Sequence, residues 1–172
     1  MEKWDILNAD GTPTGKTTLR GRCNLKQGEY HLVVHIWIVS SRGDFLIQRR
    51  SDSKKLMPGE WAATGGAAIS GEDSYTAANR ELYEELGIPS NKQTLKKLTR
   101  IKRRNSLLDI WFINANIEIH RLKLQKDEVA EARWVSREQF KTMIENGEFH
   151  NYGKEYFDTV FNKIDELLGV TV

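Results

Sequence analysis

The chain alternates between short apolar runs, which predict strands, and stretches with helical periodicity, which predict helices. Two continuous apolar runs, at 31–41 and at 45–50, predict buried strands joined by the turn Arg42-Gly43-Asp44. Further strands are predicted at 61–63, 94–104, 107–119 and 132–135. Near the beginning of the chain, Asp10-Gly11 separates two short segments and predicts a β-hairpin within residues 1–22.

The first of three predicted helices precedes Gly87. It has one apolar stripe, formed by Tyr75, Ala78, Leu82 and Leu86. Ser70 and Asp73 resemble a capping box, so we expect this helix to begin near Gly71. Gly87 followed by Pro89 predicts its end.

Two more helices are predicted in the last third of the chain. Ser136 is a candidate N-cap for a helix over 137–145. An amphipathic pattern over 152–168 predicts the last helix. Its inward side is expected to consist of Tyr156, Val160, Ile164 and either Leu167 or Leu168. A mixed sheet with helices on both faces gives the predicted fold class, an α/β protein with an α/β/α sandwich and an added N-terminal hairpin.

The amino-acid composition indicates a soluble protein and says little else about function. The 172 residues predict a single domain, 1–172, large enough to bury a core. No apolar run reaches the roughly 18 residues of a membrane span, and no signal peptide is apparent, so we expect a cytoplasmic protein without a membrane partner. Cys23 has no second cysteine with which to pair. A net charge of +2 does not favour nucleic acid as a partner.

Three carboxylates, Glu81, Glu84 and Glu85, lie within little more than one turn of the first predicted helix. Like charges at these spacings repel one another and destabilise a helix, more so when partly buried. Clustered carboxylate oxygens are the ligands that Mg²⁺ or Mn²⁺ prefers. A bare cluster of this kind is also compatible with a solvated acidic helix face, so the surrounding residues decide between the two interpretations.

The residues around the cluster match, without a gap, the signature of the Nudix hydrolases. The matching positions in 66–88 are Gly66, Glu72, Arg80, Glu81, Leu82, Glu84, Glu85, Gly87 and Ile88. The resemblance implies the Nudix α/β/α fold and a Mg²⁺- or Mn²⁺-dependent hydrolysis of phosphoanhydride bonds. We expect Glu81, Glu84 and Glu85 to hold the metal, with the carbonyl of Gly66 completing its shell. Glu72 and Arg80 are expected to brace the loop against the helix.

A second, less specific resemblance covers roughly residues 4–140 and points to the branch that includes isopentenyl-diphosphate isomerases. Its motifs are Arg49-Arg50, Ser53-Lys54-Lys55 and Pro58-Gly59-Glu60-Trp61. By this resemblance Arg50 and Lys54 match the positions that hold a diphosphate, and both side chains suit phosphate oxygens. A solvated loop is the alternative for this segment.

Isomerase activity is not expected. The stretch AATGGAA at 62–68 contains neither the cysteine nor the histidine that isomerase chemistry needs. His31 matches a metal-binding histidine of the isomerases, but an acidic ligand position falls on Leu107, with Asp109 as the acidic residue nearby. The complete Nudix signature therefore predicts hydrolase chemistry on an isomerase-like scaffold.

The predicted enzyme is a metal-dependent Nudix pyrophosphohydrolase that acts on a small diphosphate-containing substrate. Glu84 is the first candidate for the general base, Glu81 can exchange roles with it, and Glu128 or Glu131 is a third option unless both are exposed loop carboxylates. The family makes a homodimer a reasonable expectation. Two rival functions are an isomerase and a Nudix module that senses a nucleotide without turning it over.

Other residues allow a structural and a functional interpretation. His31 and His35 lie on one side of a predicted strand, and each is expected to be packed or hydrogen-bonded rather than to bind metal. The basic run Lys92–Arg104 is expected to form a solvated strand face, with steering of an anionic substrate or contact with RNA as the alternative.

Overall fold

A computed structural model describes residues 2–21 and 25–169 of the chain. Cys23 and the two ends of the predicted hairpin, Met1 and Arg22, lie outside the described residues. The strands are β1 (Lys3–Leu7), β2 (Pro13–Leu19), β3 (His31–Val39), β4 (Phe45–Arg50), β5 (Trp61–Ala62), β6 (Thr64–Ala67), β7 (Leu95–Lys102), β8 (Ser106–Asn114) and β9 (Val129–Val135). The helices are α1 (Ser74–Leu86), α2 (Arg137–Glu145) and α3 (Lys154–Leu168), with a short 3₁₀ turn at Ile119–Arg121.

Seven strands form one mixed sheet. Its main path runs β5-β4-β3-β8-β7, with β6 paired to β3 and β9 paired to β4. The β3–β8 pair is parallel along its whole length, from His31 opposite Ser106 to Val39 opposite Asn114, and the other pairs are antiparallel. The predicted mixed sheet is therefore confirmed, and its centre is the apolar strand β3.

Helices cover both faces of this sheet. Alternate residues of β3 point in opposite directions, so Ile36 packs on the side of α1 and Trp37 on the side of α2 and α3. The α1 side is mainly aliphatic and includes Leu82 and Leu86. The opposite side is largely aromatic, and its aromatic members include Trp37, Phe45, Phe140, Phe149, Tyr156, Phe157 and Phe161. The predicted α/β/α arrangement is confirmed.

The start of α1 differs from the prediction. The helix begins at Ser74, and Asp73 is its N-cap, accepting a hydrogen bond from the Thr76 amide at 2.7 Å. Ser70 does not cap the helix because its hydroxyl donates to Asp5 of the hairpin. Gly87 ends the helix as predicted, in the left-handed conformation that glycine adopts readily.

Other differences concern element ends. Helix α3 begins at Lys154, two residues later than predicted, and Leu167 and Leu168 are exposed. Helix α2 has the predicted bounds and a complete capping box between Ser136 and Gln139. The sequence did not predict β6, because its Thr-Gly-Gly-Ala segment carries no hydrophobic pattern.

The predicted N-terminal hairpin is confirmed as a separate two-stranded sheet of β1 and β2. Asp5 ties it to the loop before α1 by accepting hydrogen bonds from the Ser70 hydroxyl and the Gly71 amide, at 2.6 and 2.8 Å. The hairpin therefore supports the segment that leads into the acidic helix. Within residues 2–21 and 25–169, no helix is long and apolar enough to cross a bilayer.

Candidate active site

A cleft of about 530 Å³ opens where β6 and α1 meet the ends of β3 and β4. Its lining includes Gly66, Glu81, Glu84 and Glu85 of the signature segment, together with Arg50, Arg103, Glu128, His35, His150 and Tyr152. A second cavity of about 550 Å³, between the hairpin and the start of α1, contains none of the three clustered glutamates. The first cleft is the candidate active site because the predicted residues converge there.

Glu85 is the most buried carboxylate of the cluster, with 3% of its surface exposed. Its Oε2 accepts hydrogen bonds from Gln48 Nε2 at 2.9 Å and from the Gly65 amide at 3.0 Å. Burial, and then the neighbouring charge of Glu81, raises the pKa of Glu85 to about 8. A buried carboxyl in such surroundings gains most from a cation that offsets its charge.

Arg80 holds the other two glutamates of the cluster. Its Nη1 donates to Glu81 at 2.8 Å and to Glu84 at 3.1 Å. Glu81 is largely buried, and this desolvation raises its pKa although Arg80 opposes the shift. Glu84 is half exposed and faces the cleft solvent.

The same guanidinium joins the loop to the helix. Arg80 forms a two-point ion pair with Glu72, with nitrogen–oxygen distances of 2.8 and 2.9 Å, and Nη2 also donates to the Ala67 carbonyl at 3.2 Å. Such forked pairs are geometrically specific. Glu72 and Arg80 thus make the contact that the sequence predicted, between the loop before α1 and the helix itself.

The basic side of the cleft differs from the sequence prediction, which paired Arg50 with Lys54. Arg50 lines the cleft, and its Nε donates to the Leu56 carbonyl at 3.1 Å. Lys54 is not among the residues that line the cleft, and its ammonium group lies 2.5 Å from the carboxylate of Glu128. Arg103 also lines the cleft, and within the described ranges neither Arg50 nor Arg103 forms an ion pair with a carboxylate, unlike Arg20 and Arg80 of the same lining.

The two candidate bases outside the signature segment lie in different places. Glu128 lines the cleft, and its charge contributes to the raised pKa values of Glu81 and Glu85. Glu131 is half exposed, lies outside the cleft and pairs with Arg49 at 3.7 Å. Glu128 therefore remains a candidate, whereas Glu131 has no access to the site.

Sequence reasoning missed several cleft residues. Gln48 carries a weak signal, since it is the one uncharged polar residue in the run FLIQRR. Arg103 was assigned to a solvated basic face, and Tyr152 was placed at the start of a helix, yet both line the cleft. The Tyr152 hydroxyl accepts from the Ala63 amide at 3.3 Å, and burial raises the pKa of Tyr152 to about 12.

Both strand histidines are packed, as predicted. The His31 ring stacks on Trp4, with centroids 4.5 Å apart. The Nδ1 atom of His35 lies 2.8 Å from the Tyr156 hydroxyl. Burial, and then the positive charges of Arg103 and His150, lowers the pKa of His35 to about 3, so this ring is neutral at neutral pH.

The basic run Lys92–Arg104 is only partly a solvated face. Lys97 and Arg100 both bind the fully buried carboxylate of Asp109, each at 2.6 Å. Two cations of the run therefore bind a buried carboxylate rather than facing solvent alone. Arg103, near the end of the run, lies in the cleft.

Comparison with known proteins identifies the family of the chain. The NUDIX domain model matches residues 29–155, which is more than half of the chain. The chain belongs to the Nudix hydrolase family. Over 153 residues it is 40% identical to an uncharacterised Nudix hydrolase of Listeria monocytogenes, covering 88% of this chain and 90% of that protein. The crystal structure of the DR0079 protein from Deinococcus radiodurans superposes with a TM-score of 0.72 at 25% identity, covering 86% of this chain and 91% of that one.

The isomerase resemblance is weaker. The isopentenyl-diphosphate Delta-isomerase of Escherichia coli is 34% identical over 84 residues, which is 48% of this chain and 46% of the isomerase. Among the described residues that line the cleft there is no cysteine. The match to named Nudix hydrolases over most of the chain shows a hydrolase of acid anhydrides in phosphorus-containing compounds.

Nudix enzymes generally require divalent metal ions, and the residues present fit such an ion. The donors are carboxylate and carbonyl oxygens, which suit a hard cation. A Cβ at Gly66 would lie 2.7 Å from Glu81 Cδ, so only glycine leaves the carboxylate its space. Across residues 2–21 and 25–169, no three histidine, cysteine or acidic side chains are grouped closely enough to hold a metal ion, and Arg80 forms hydrogen bonds with both Glu81 and Glu84.

Proposed function

We propose that this Nudix hydrolase uses Mg²⁺ or Mn²⁺ to cleave a phosphoanhydride bond of a diphosphate-containing metabolite by attack of water. The observation that supports this most directly is the distribution of charge in the cleft. On its acidic side lie Glu81, Glu84 and Glu85, and on its basic side lie Arg50 and Arg103, whereas the other two arginines of the lining, Arg20 and Arg80, are paired with carboxylates. A diphosphate is the kind of ligand that can satisfy both sides, through cations on one and guanidinium groups on the other.

Glu81, Glu84, Glu85 and the carbonyl of Gly66 would hold the cation. A divalent cation supplies charge compensation for the phosphate oxygens and makes water more acidic when it is bound. The protein contributes the arrangement around it. Gln48 and the Gly65 amide fix the carboxylate of Glu85, and Arg80 limits where Glu81 and Glu84 lie.

The other functional groups bind the substrate and accept a proton. Arg50 and Arg103 are unpaired with carboxylates among the described residues and are available for phosphate oxygens. Glu84 is our candidate for the general base because it is half exposed at the cleft, whereas Glu85 is buried under two donors. Glu81 is the alternative within the segment, and Glu128 is the alternative outside it.

The test is phosphate release from a panel of nucleoside diphosphates, nucleotide sugars, dinucleotides and prenyl diphosphates, with and without Mg²⁺ or Mn²⁺. We expect turnover of at least one compound that stops when the metal is chelated. Glu84→Gln and Glu85→Gln are each expected to lower kcat by about 100-fold or more, the range seen when a group that acts in the transition state is removed.

Glu131→Gln is the matched control, because this carboxylate lies on the same part of the chain as Glu128 but outside the cleft. Its turnover should equal that of the wild type. If Glu84→Gln and Glu85→Gln also retained full turnover, the catalytic assignment would be wrong. A prenyl-diphosphate isomerisation assay that yields product would favour the isomerase instead, and tight nucleotide binding without turnover would favour the sensor.

A further inference from the structure

His35 connects the aromatic core to the cleft. It lies in β3, opposite Gly65 of β6, and is 8% exposed. One edge of its ring faces the core, where Nδ1 lies 2.8 Å from the Tyr156 hydroxyl. The residue also lines the cleft, so the other edge of the ring is available there.

The hydrogen-bond partners of Tyr156 determine which nitrogen of His35 carries a proton. The indole Nε1–H of Trp37 can only donate, and it lies 3.1 Å from the Tyr156 hydroxyl oxygen. The Tyr156 oxygen is therefore an acceptor for Trp37. The tyrosine has one hydrogen of its own to place, and the side chain is 4% exposed, so leaving that hydrogen without an acceptor is unfavourable.

The acceptor within reach of that hydrogen is Nδ1 of His35. A ring nitrogen that accepts carries no proton, so the neutral imidazole has its proton on Nε2. Among the described residues Nε2 has no hydrogen-bond partner, and it is not one of the buried side-chain atoms that lack one. Nε2–H consequently opens onto the cleft.

We propose that Nε2–H of His35 donates a hydrogen bond to a phosphate oxygen of the substrate, with Trp37 and Tyr156 fixing the tautomer. The inference rests on the proposed function, since it concerns the same cleft. Arg103 lies close enough to His35 to influence its charge state, and Arg50 and Arg103 both influence Tyr152 beside it. The acceptor that such a cationic region attracts is an anionic oxygen.

The neutral ring makes a distinct contribution. The charge of an arginine attracts any anion over several ångströms. An uncharged N–H group stabilises an acceptor only at hydrogen-bond distance and with a nearly linear N–H···O angle. His35 would therefore fix the orientation of the phosphate group rather than its presence in the cleft. We class it as a substrate-binding residue, and Tyr156 as a positioning residue that acts through it.

The tautomer can be measured without any substrate. In a long-range ¹H–¹⁵N spectrum of the full chain with labelled histidine, His35 should show a pyridine-like Nδ1 and a pyrrole-like Nε2 at neutral pH. Tyr156→Phe keeps the ring and removes the hydroxyl, so the variant should populate both tautomers. A pyrrole-like Nδ1 in the wild type would overturn the proposal.

Methylenediphosphonate with Mg²⁺ serves as a non-hydrolysable probe of the second step. On its addition the Nε2–H signal of His35 should shift and exchange more slowly with water. By calorimetry, His35→Leu should bind the probe about 10-fold more weakly, whereas His35→Gln, whose amide can place a donor near the same point, should stay within about 3-fold of the wild type. His120→Leu, in the exposed 3₁₀ turn, is the control and should leave the affinity unchanged.

The outcomes separate the two proposals. A wild type that releases phosphate and binds the probe with no change at His35 overturns this inference and leaves the proposed function standing. Equal losses in His35→Leu and His35→Gln would also overturn it, because shape rather than a donor would then matter. A wild type that neither binds the probe nor hydrolyses any diphosphate overturns both.

Discussion

The pKa of Glu85 is strongly raised by its surroundings in the cleft. Burial raises its pKa to about 8, from an ordinary value of 4.5. The folded state thus holds this proton more tightly than the unfolded chain does. In the metal-free protein, the corresponding stability is complete below about pH 4.5 and is lost as the pH rises through about 8.

Glu85→Gln should remove that dependence, because the amide has no charge to bury. Urea unfolding in the presence of a chelator at pH 5 and pH 8 measures it. The wild type should lose about 2–4 kcal/mol between the two pH values from this group, and the variant should lose correspondingly less. Glu131→Gln should behave as the wild type does. If Glu85→Gln lost as much stability as the wild type, another group would be responsible.

Arg103 and Arg104 are adjacent in the β7–β8 turn and carry the same charge, but Arg103 lines the cleft and Arg104 is exposed outside it. Arg103→Ala should raise KM for a diphosphate substrate about 10-fold, because one charge-assisted contact to phosphate is lost. Arg104→Ala should leave KM within about 2-fold at moderate ionic strength, since an exposed charge is screened. Steady-state phosphate release measures both, and equal effects would indicate general steering by the turn.

At the scale of elements, the two glycines of β6 do different things for the site. The backbone of Gly65 has a φ of +148°, and a Cβ there would overlap the Val34 carbonyl of the adjacent strand. The three atoms nearest to a Cβ at Gly66 would all belong to the carboxylate group of Glu81, which is the flexible end of a side chain. Strand β6 is therefore constrained by the sheet at one glycine and by the acidic helix at the next.

Substitution by alanine should separate these constraints. Gly65→Ala is expected to lower the unfolding free energy by about 2–3 kcal/mol, because rigid backbone must move. Gly66→Ala should change stability by less than about 1 kcal/mol and lower kcat at least 10-fold, because Glu81 is displaced. Thermal unfolding and phosphate release distinguish the two. Retained activity in Gly66→Ala would show that Glu81 does not need its present position.

The signature segment was predictable because its residues are local. Nine positions within 23 residues determine the acidic face, and the Gly87 stop lies in the same run. The partner of Lys54 was not predictable in this way, since Glu128 comes from 74 residues further along the chain. The local sequence also does not show which of the adjacent residues Arg103 and Arg104 lines the cleft. Both the Lys54–Glu128 contact and the position of Arg103 in the cleft depend on how the strands are arranged in the sheet, which a local sequence pattern does not reveal.

At the scale of the whole molecule, Asp109 forms a centre of buried charge that lies outside the cleft. This carboxylate is fully buried, which opposes its ionisation, but hydrogen bonds from Arg100 and Lys97 lower its pKa below the ordinary 3.8. Its contribution to stability is present above that ordinary value and is lost as the pH falls through the lowered pKa. It also joins β7 to β8, the strand that pairs with the central β3.

Asp109→Asn should therefore lower the unfolding free energy by about 2–3 kcal/mol at neutral pH, because two cations lose their buried partner. About a third of the side-chain surface of each cation is exposed to solvent, which limits the loss of unfolding free energy. Asp158→Asn, which breaks the exposed pair with Lys154, should cost less than about 0.5 kcal/mol. Chemical denaturation of the two variants provides the comparison, and similar losses would mean that the buried pair contributes no more than a surface one.

Tyr156 reaches the cleft indirectly, through the residues that its hydroxyl contacts. Its hydroxyl belongs to α3, on the sheet face away from α1, yet it contacts Trp37 and His35 together. By our proposal, Tyr156→Phe would therefore alter the donor that His35 presents to the cleft from the opposite side of the sheet, with every glutamate of the signature left in place.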